Sequence, residues 1–163
     1  MRGKKGFTLV ELVIVIVILG ILAVVAVPRM TDMKKRAQIA SGKAVEGNIK
    51  SGLEIAKSQY VAMGASGAQN IDGVSFNDKG FPVILDSSPT GTTSGPANPF
   101  FGNVVSPPIT NGEWYKQTQI YNRYRHLPTG KYFEYDPEAS PQWTGPYASN
   151  NPGCNPPTVS WED

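Results

Sequence analysis

Residues 7–27 read FTLVELVIVIVILGILAVVAV, a run in which only Thr8, Glu11 and Gly20 are not large or small hydrophobic residues. A helix over this run is about 31 Å long at 1.5 Å per residue, which matches the hydrocarbon core of a bilayer. A soluble helix keeps a polar face, and this run has none. The run therefore predicts a membrane-spanning helix.

A secretory signal peptide is the alternative interpretation of this start. Basic residues precede the apolar run, and Val24-Val25-Ala26 weakly resembles a small-residue cleavage site. The run is longer than the roughly 7–15 residues of a signal core, and the carboxylate of Glu11 interrupts it. A retained span is the better interpretation.

Cations flank the run on both sides, at Arg2, Lys4 and Lys5 before it and at Arg29, Lys34, Lys35 and Arg36 after it. Because the two counts are nearly equal, the Lys/Arg bias does not orient the span. The formal net charge of the chain is only +2, so no field of the whole protein indicates a nucleic-acid partner.

The stretch Lys4-Lys5-Gly6-Phe7-Thr8-Leu9-Val10-Glu11 resembles the processing site of type IV prepilins and type II secretion pseudopilins. A basic leader ends in glycine, an aromatic residue follows, and a glutamate stands fifth after the cleavage point. The resemblance continues to about residue 60 and then fades. It implies that a membrane-embedded peptidase cleaves between Gly6 and Phe7, and that the same enzyme methylates the new amine of Phe7.

Gly6 has no side chain at the bond that this enzyme would cut, so the peptidase can approach the backbone closely. A flexible linker before a helix is the alternative role for this glycine.

Glu11 is a carboxylate inside an apolar segment, where a charged group costs about 3 kcal/mol at mid-membrane. The helix dipole, a position near the interface, and a nearby cation could each stabilise it. Cleavage creates such a cation at the amine of Phe7, which lies at i,i+4 from Glu11 in one chain and is also accessible to a neighbouring chain. The resemblance favours the neighbouring chain and implies that Glu11 sets the docking register of a filament; tolerance near the interface is the alternative.

Gly20 and Pro28 weaken the helix. Proline removes a hydrogen bond to the carbonyl of Val24, and glycine costs about 1 kcal/mol relative to alanine. We predict a kink or break here, and the resemblance implies that the helix loosens between these positions in a filament. A plain kinked span is the alternative.

Residues 28–64 change from wholly apolar to amphipathic. Apolar residues recur at helical spacing at Val45, Ile49, Leu53, Ala56, Tyr60 and Met63. This stripe predicts a helix that buries one face against a head domain and ends near Gly64, with Gly42, Gly47 and Gly52 leaving room for close contacts.

Residues 65–163 predict a small antiparallel sheet laid against that helix, so the fold class is α+β. Candidate strands are Trp114–Tyr121 and Lys131–Tyr135, and the connection between them includes a turn at Leu127-Pro128-Thr129-Gly130. Residues 140–163 contain five prolines and predict a largely irregular surface loop.

Three features of this head suggest a ligand. Acids that could bind calcium are Asp136, Glu138, Glu162 and Asp163, but their spacing is not diagnostic and solvated acids explain them as well. Aromatic and basic residues that alternate as in a DNA- or glycan-binding surface are Tyr115, Tyr121, Tyr124, Tyr132 and Tyr135 with Lys116, Arg123, Arg125 and Lys131. Sheet packing accounts for the second list more simply. The Leu127–Gly130 stretch superficially resembles a sortase signal and is better interpreted as a turn.

The sequence predicts no enzyme, cofactor or metal site. His126 is the single histidine, and the chain has no phosphate loop and no nucleophile elbow. Cys154 is the single cysteine, so it is either an unpaired thiol or an intermolecular bridge. The chain thus lacks the cysteine pair of many major pilins, which favours the pseudopilin branch.

We therefore expect a leader at residues 1–6, a membrane and filament-core helix at 7–27, an amphipathic helix at 28–64 and an extracytoplasmic head at 65–163. The resemblance implies a structural subunit of a type IV pilus or pseudopilus, first anchored in the bacterial inner membrane and then part of a filament. Its implied partners are copies of itself, the prepilin peptidase and methyltransferase, an assembly platform, related minor pilins and membrane lipid. A minor pilin whose head binds DNA or a surface, and a simple membrane-tethered enzyme or receptor, are the alternatives.

Overall fold

The structure is a computed structural model that describes residues 7–117, 122–148 and 158–162. The chain divides into two units, Met1–Ala37 and Gln38–Asp163. Helix α1 spans Leu9–Ala62 and therefore contributes residues to both units.

The C-terminal end of α1 is formed by a left-handed glycine. Gly64 has a φ of 65°, which costs glycine nothing. Its N–H donates to the carbonyl of Val61 at 3.0 Å, and the N–H of Ala65 donates to the carbonyl of Tyr60 at 3.2 Å. This pair of bonds is a Schellman motif, which satisfies carbonyls at the helix end. The helix therefore ends at Ala62, close to the predicted stop.

The predicted apolar stripe of α1 faces the core of the second unit, with one exception. Its buried members are Val45, Ile49, Leu53, Ala56 and Tyr60. Met63 is 60% exposed, so its prediction as a core residue is wrong. The reason is that Met63 follows the last helical residue, where the periodicity no longer determines the direction of the side chain.

Two glycines of α1 allow other parts of the second unit to approach the helix. A Cβ on Gly52 would lie 1.9 Å from the carbonyl oxygen of Val104, and one on Gly42 would lie 2.3 Å from the ring of Trp161. A Cβ on Gly47 would meet nothing within 4 Å. The close contacts that the sequence predicted at these glycines therefore occur at Gly42 and Gly52 but not at Gly47.

The described residues after α1 contain seven strands: β1 Gln69–Ile71, β2 Val74–Phe76, β3 Thr92–Thr93, β4 Trp114–Lys116, β5 Arg123–His126, β6 Lys131–Tyr135 and β7 Trp143–Tyr147. Strands β1 and β2 form a separate hairpin, and β3 to β7 form one antiparallel sheet in chain order. The α+β fold class, with a long helix packed on a small antiparallel sheet, is confirmed.

The sequence located some of these strands and not others. Strand β6 has the predicted bounds, β4 begins the predicted segment 114–121, and residues 118–121 lie outside the described part. The Leu127–Gly130 turn joins β5 to β6, with the N–H of Gly130 donating to the carbonyl of His126 at 2.8 Å. Strand β5 was not predicted, because the residues of this strand, RYRH, resemble an exposed polar segment.

The prediction of an irregular loop over residues 140–163 is wrong for β7. Strand β7 pairs with β6 through Tyr147 opposite Tyr132 and Trp143 opposite Tyr135. Pro146 lies within this strand, where proline is accepted because β7 is the last strand of the sheet.

Aromatic rings make up most of the core between α1 and the sheet. Trp114, Tyr124 and Phe133 are fully buried, and the ring of Phe101 meets that of Trp114 edge to face at 5.4 Å. Trp161, near the C-terminus, packs against Phe133 with ring centroids 5.1 Å apart. This core anchors residues 39–60 of the helix to the head.

Candidate functional site

The N-terminal end of α1 is closed by a reciprocal pair of hydrogen bonds between Thr8 and Glu11. The N–H of Glu11 donates to Oγ1 of Thr8 at 3.2 Å, and the N–H of Thr8 donates to Oε2 of Glu11 at 3.4 Å. This arrangement is a capping box, which satisfies two backbone donors that a helix start leaves open. This cap was not among the predictions made from the sequence, although Thr8-Leu9-Val10-Glu11 directly before an apolar run is its usual signature.

The capping box uses one side of the Glu11 carboxylate. The hydroxyl of Thr8 also lies 3.5 Å from Oε2. Within the described part of the chain, Oε1 accepts no hydrogen bond. The carboxylate therefore closes its own helix and still offers one oxygen to a cation.

Phe7 precedes the capping box and is 75% exposed. Gly6, the other side of the predicted cleavage point, lies outside the described residues, so cleavage and methylation remain predictions. The N–H of Thr8 follows the predicted cut, so cleavage would leave the capping box intact.

The apolar surface of α1 has no partner in the first unit. Every residue from Phe7 to Val27 is exposed, including Ile14, Val15 and Leu19 near the middle of the run. The helix is long and apolar enough to cross a membrane, judged by length and composition. Such a surface requires lipid or other protein chains around it.

The helix is continuous through Gly20 and Pro28. A break is therefore absent from this helix, and the predicted kink and the loosening in a filament remain predictions. The hydroxyl of Thr31 donates to the carbonyl of Val27 at 3.2 Å, next to the proline.

Residues 1–27 match the family model of the prokaryotic N-terminal methylation motif. This methylation motif is the leader signature of type IV pilins and pseudopilins, so the resemblance found in the sequence is confirmed. No curated protein and no solved structure matches the chain. The methylation motif ends at Val27, and the functional assignment therefore rests on the first unit.

The methylation motif supports a precursor of the type IV pilin or pseudopilin kind, with processing by a prepilin peptidase and filament assembly in general terms. It also indicates a structural protein rather than an enzyme. With the apolar helix, it fits anchoring in the inner membrane.

In the head, most of the aromatic and basic residues that the sequence singled out belong to the core. Lys116 is buried, and its Nζ lies 3.0 Å from Oδ1 of Asp86. Tyr124 is also buried and donates its hydroxyl to Oδ2 of the same aspartate at 2.7 Å. Burial first of all, and then the Asp86 carboxylate, raise the pKa of Tyr124 well above its ordinary value.

Two more of these cations are buried. Arg123 donates to Oε1 of Glu134 at 2.9 Å, and Lys131 is 7% exposed. Arg125 is half-buried and lies over the ring of Tyr132 at 5.3 Å. Tyr121 lies outside the described residues. The alternating pattern thus serves sheet packing, and it presents no continuous cationic surface in the described part of the chain.

The acids that could have bound calcium lie with separate partners. Glu138 pairs with Lys79 at 2.9 Å, and Glu162 pairs with Lys43. A hydrogen bond from Lys79 is the main cause that lowers the pKa of Glu138, and one from Lys43 lowers the pKa of Glu162 to about 2. Asp163 and Cys154 lie outside the described residues, and the described ones contain no group of three or more potential metal ligands.

His126 is fully buried between two indole rings, those of Trp114 and Trp161, at centroid distances of 5.1 and 5.4 Å. Its Nδ1 lies 2.8 Å from Oγ1 of Thr129, while its Nε2 is 3.9 Å from Oε2 of Glu113, too far for a hydrogen bond. Burial lowers the pKa of His126 despite the opposing effect of Glu113. The ring is therefore a packed, neutral core residue.

Proposed function

We propose that this chain is a structural subunit of a type IV pilus or type II secretion pseudopilus-like filament. It is anchored in the inner membrane after cleavage between Gly6 and Phe7, with its head extracytoplasmic, and it assembles through α1. The observation that carries the proposal is the position of Glu11, fifth after that cleavage point, at the start of an apolar helix exposed over residues 7–27.

Assembly would use the free oxygen of Glu11. The amine that cleavage creates on Phe7 of one copy meets Oε1 of Glu11 on another, while Oε2 keeps its bonds to Thr8. Between apolar helices the Coulomb attraction of this charge pair is far stronger than in water, because the low dielectric constant screens it little. The axial offset between the two groups then sets the stagger of neighbouring helices, and the apolar faces pack against each other.

The test is to replace Glu11 by alanine in cells that also make the wild-type chain. We expect Glu11→Ala to be cleaved normally and to enter filaments slowly or not at all, since the amine of a neighbour finds no carboxylate. Sheared filaments probed for a tag on the variant measure incorporation, and the intact mass of the membrane form measures cleavage.

Glu54→Gln is the matched control, because it removes an exposed acid of the same helix outside the apolar run. It should enter filaments normally. Normal incorporation of Glu11→Ala would contradict the docking role of Glu11.

A minor subunit whose head binds DNA or a surface remains the alternative. Burial of Lys116, Arg123 and Lys131 leaves little of the cationic surface on which that alternative relied.

A further inference from the structure

Four cations follow the apolar run of α1 within residues 29–36: Arg29, Lys34, Lys35 and Arg36. We call them the cationic belt. All four are exposed, and among the described residues none of them forms an ion pair. Asp32 is the single acid between them, so residues 29–36 carry a net charge of +3, four cations less one acid.

The cations elsewhere in the described chain differ from the belt in their surroundings. Five of them are held by carboxylates, in the pairs Lys43–Glu162, Lys50–Glu46, Lys79–Glu138, Lys116–Asp86 and Arg123–Glu134. Two others, Lys57 and Arg125, lie over aromatic rings, and Lys131 is buried. The belt is therefore a concentration of unpaired positive charge directly beside the membrane-length segment.

The position of the belt fits the headgroup layer. Residues 29–36 rise about 10 Å along the helix beyond the apolar run. The headgroup region adds roughly 5–7 Å on each side of the hydrocarbon core. Lysine and arginine side chains are long enough to extend along the helix to this layer from either direction.

Two methionines share the segment with the belt. Met30 and Met33 are 68% and 69% exposed, so apolar side chains are interleaved with the cations. A lipid interface offers apolar acyl and glycerol groups and anionic phosphates at nearly the same depth. In water, by contrast, the apolar side chains of both methionines would stay in contact with solvent.

We propose that the cationic belt binds the phosphates of anionic phospholipids in the leaflet that borders residues 28–36, and that this contact fixes the depth of the unassembled subunit. The inference rests on the membrane-spanning role of residues 7–27 in the proposed function. Cleavage after Gly6 removes Arg2, Lys4 and Lys5, so the belt becomes the main cationic flank of the mature span. Assembly then requires the subunit to release these lipids.

The test uses the chain from Phe7 onward, without the leader cations Arg2, Lys4 and Lys5, as a dilute monomer in nanodiscs that contain equal amounts of phosphatidylglycerol and phosphatidylcholine. Native mass spectrometry of the complex after gentle detergent release counts the lipids retained. Each Lys or Arg near an anionic surface favours binding of the anionic lipid by about fivefold. We therefore expect the wild type to retain about tenfold or more phosphatidylglycerol than phosphatidylcholine. The preference should decrease as salt is raised.

The variant combines Arg29→Gln, Lys34→Gln, Lys35→Gln and Arg36→Gln, which are all exposed and leave the core untouched. We expect it to retain the two lipids about equally. The control removes four exposed cations of the second unit, through Lys43→Gln, Lys50→Gln, Lys57→Gln and Lys79→Gln, and should keep the wild-type preference. Inorganic phosphate at matched concentration should leave the bound lipid in place.

The proposal would be overturned if the belt variant kept the wild-type preference or if the second-unit control lost it equally. Displacement of the lipid by inorganic phosphate would also overturn it. If the belt instead pairs with acids of neighbouring copies, the variant monomer keeps its lipid preference and only filament assembly fails, which also overturns it. The filament proposal is tested separately by Glu11→Ala, because the lipid measurement involves no assembly.

Discussion

At the scale of single residues, the capping role of Glu11 and its proposed docking role do not exclude each other. Its Oε2 belongs to the capping box with Thr8, and its Oε1 accepts no hydrogen bond within the described residues. An acid at the start of an apolar helix is thus partly satisfied before any second chain arrives, since the helix start itself favours negative charge. The Thr8 hydroxyl and the Glu11 carboxylate can be tested apart.

Replacing Thr8 by valine keeps the shape of the side chain and removes its hydroxyl. Loss of this N-cap should weaken the first turn by roughly 0.5–2 kcal/mol, which increases exchange of the Glu11 amide about two- to thirtyfold. Hydrogen exchange of the full chain in micelles measures this. Thr31→Val is the control, because the Thr31 hydroxyl bonds to the carbonyl of Val27 within the helix and caps nothing. Unchanged exchange in Thr8→Val would argue against the capping box.

His126 makes stability dependent on pH. Burial keeps the pKa of His126 in the folded chain below its ordinary value near 6.5, so the unfolded chain binds more protons as the pH falls. The contribution of the neutral ring is therefore complete above about pH 6.5 and is lost as the pH decreases below that value. Thermal unfolding followed by tryptophan fluorescence should show a lower midpoint at about pH 5.5 than at about pH 7.5.

His126→Gln should remove this part of the pH dependence, whereas Glu162→Gln should keep it. Since a hydrogen bond from Lys43 lowers the pKa of Glu162 to about 2, the contribution of that carboxylate is present above its unfolded value near 4.5 and is lost only at lower pH. The pH range in which His126 loses its contribution to stability is thus separate from the pH range for Glu162. The same dependence in His126→Gln as in the wild type would show that other groups cause it.

At the scale of secondary structure elements, the two parts of α1 present different surfaces. Residues 7–27 are exposed all round, whereas Ile39 to Tyr60 bury one stripe against the aromatic core. Gly52 lies in that stripe, where the loop carbonyl of Val104 approaches too closely for any side chain.

Gly52→Ala should destabilise the head although alanine favours a helix. The new Cβ would lie 1.9 Å from the carbonyl oxygen of Val104, so the backbone must move, at a cost of roughly 1–3 kcal/mol. Gly47→Ala is the matched control: its Cβ meets nothing within 4 Å, and it should stabilise the helix by about 1 kcal/mol. Thermal unfolding in micelles should therefore shift in opposite directions for the two variants, and equal shifts would contradict the packing.

At the scale of the whole molecule, a membrane anchor and a filament contact are assigned to the same helix. Anchoring needs an apolar exterior, and so does helix packing in a filament core. The apolar surface of residues 7–27 therefore suits both proposed states without a change of sequence. Removal of the leader would separate the two states, because it removes three cations and creates the amine that Glu11 would bind.

Chains sheared from the cell surface should therefore lack residues 1–6 and carry one extra methyl group on Phe7, which intact-mass measurement detects. Gly6→Leu should keep its leader and stay in the membrane fraction, because a side chain at the cut obstructs the peptidase. Gly3→Leu places the same side chain in the leader away from the cut, and it should be processed normally. Cleaved Gly6→Leu in sheared material would contradict the assignment of the cut.

By itself, the sequence determined the features that are local to one helix: the membrane-length run, the stripe from Val45 to Tyr60, the stop near Gly64 and the methylation motif. Spacing along a single helix fixes these, because each depends on residues a few positions apart. Strand β6 and its turn followed from local signals in the same way.

Only the tertiary structure decided which polar residues are inside. Lys116 and Arg123 resembled surface cations, and they are buried because Asp86 and Glu134 lie opposite them. Strand β7 and Trp161 similarly join the core because rings distant in sequence surround them. The cost of burying a charge or a polar strand depends on partners that folding brings together, and no pattern along the chain contains that information.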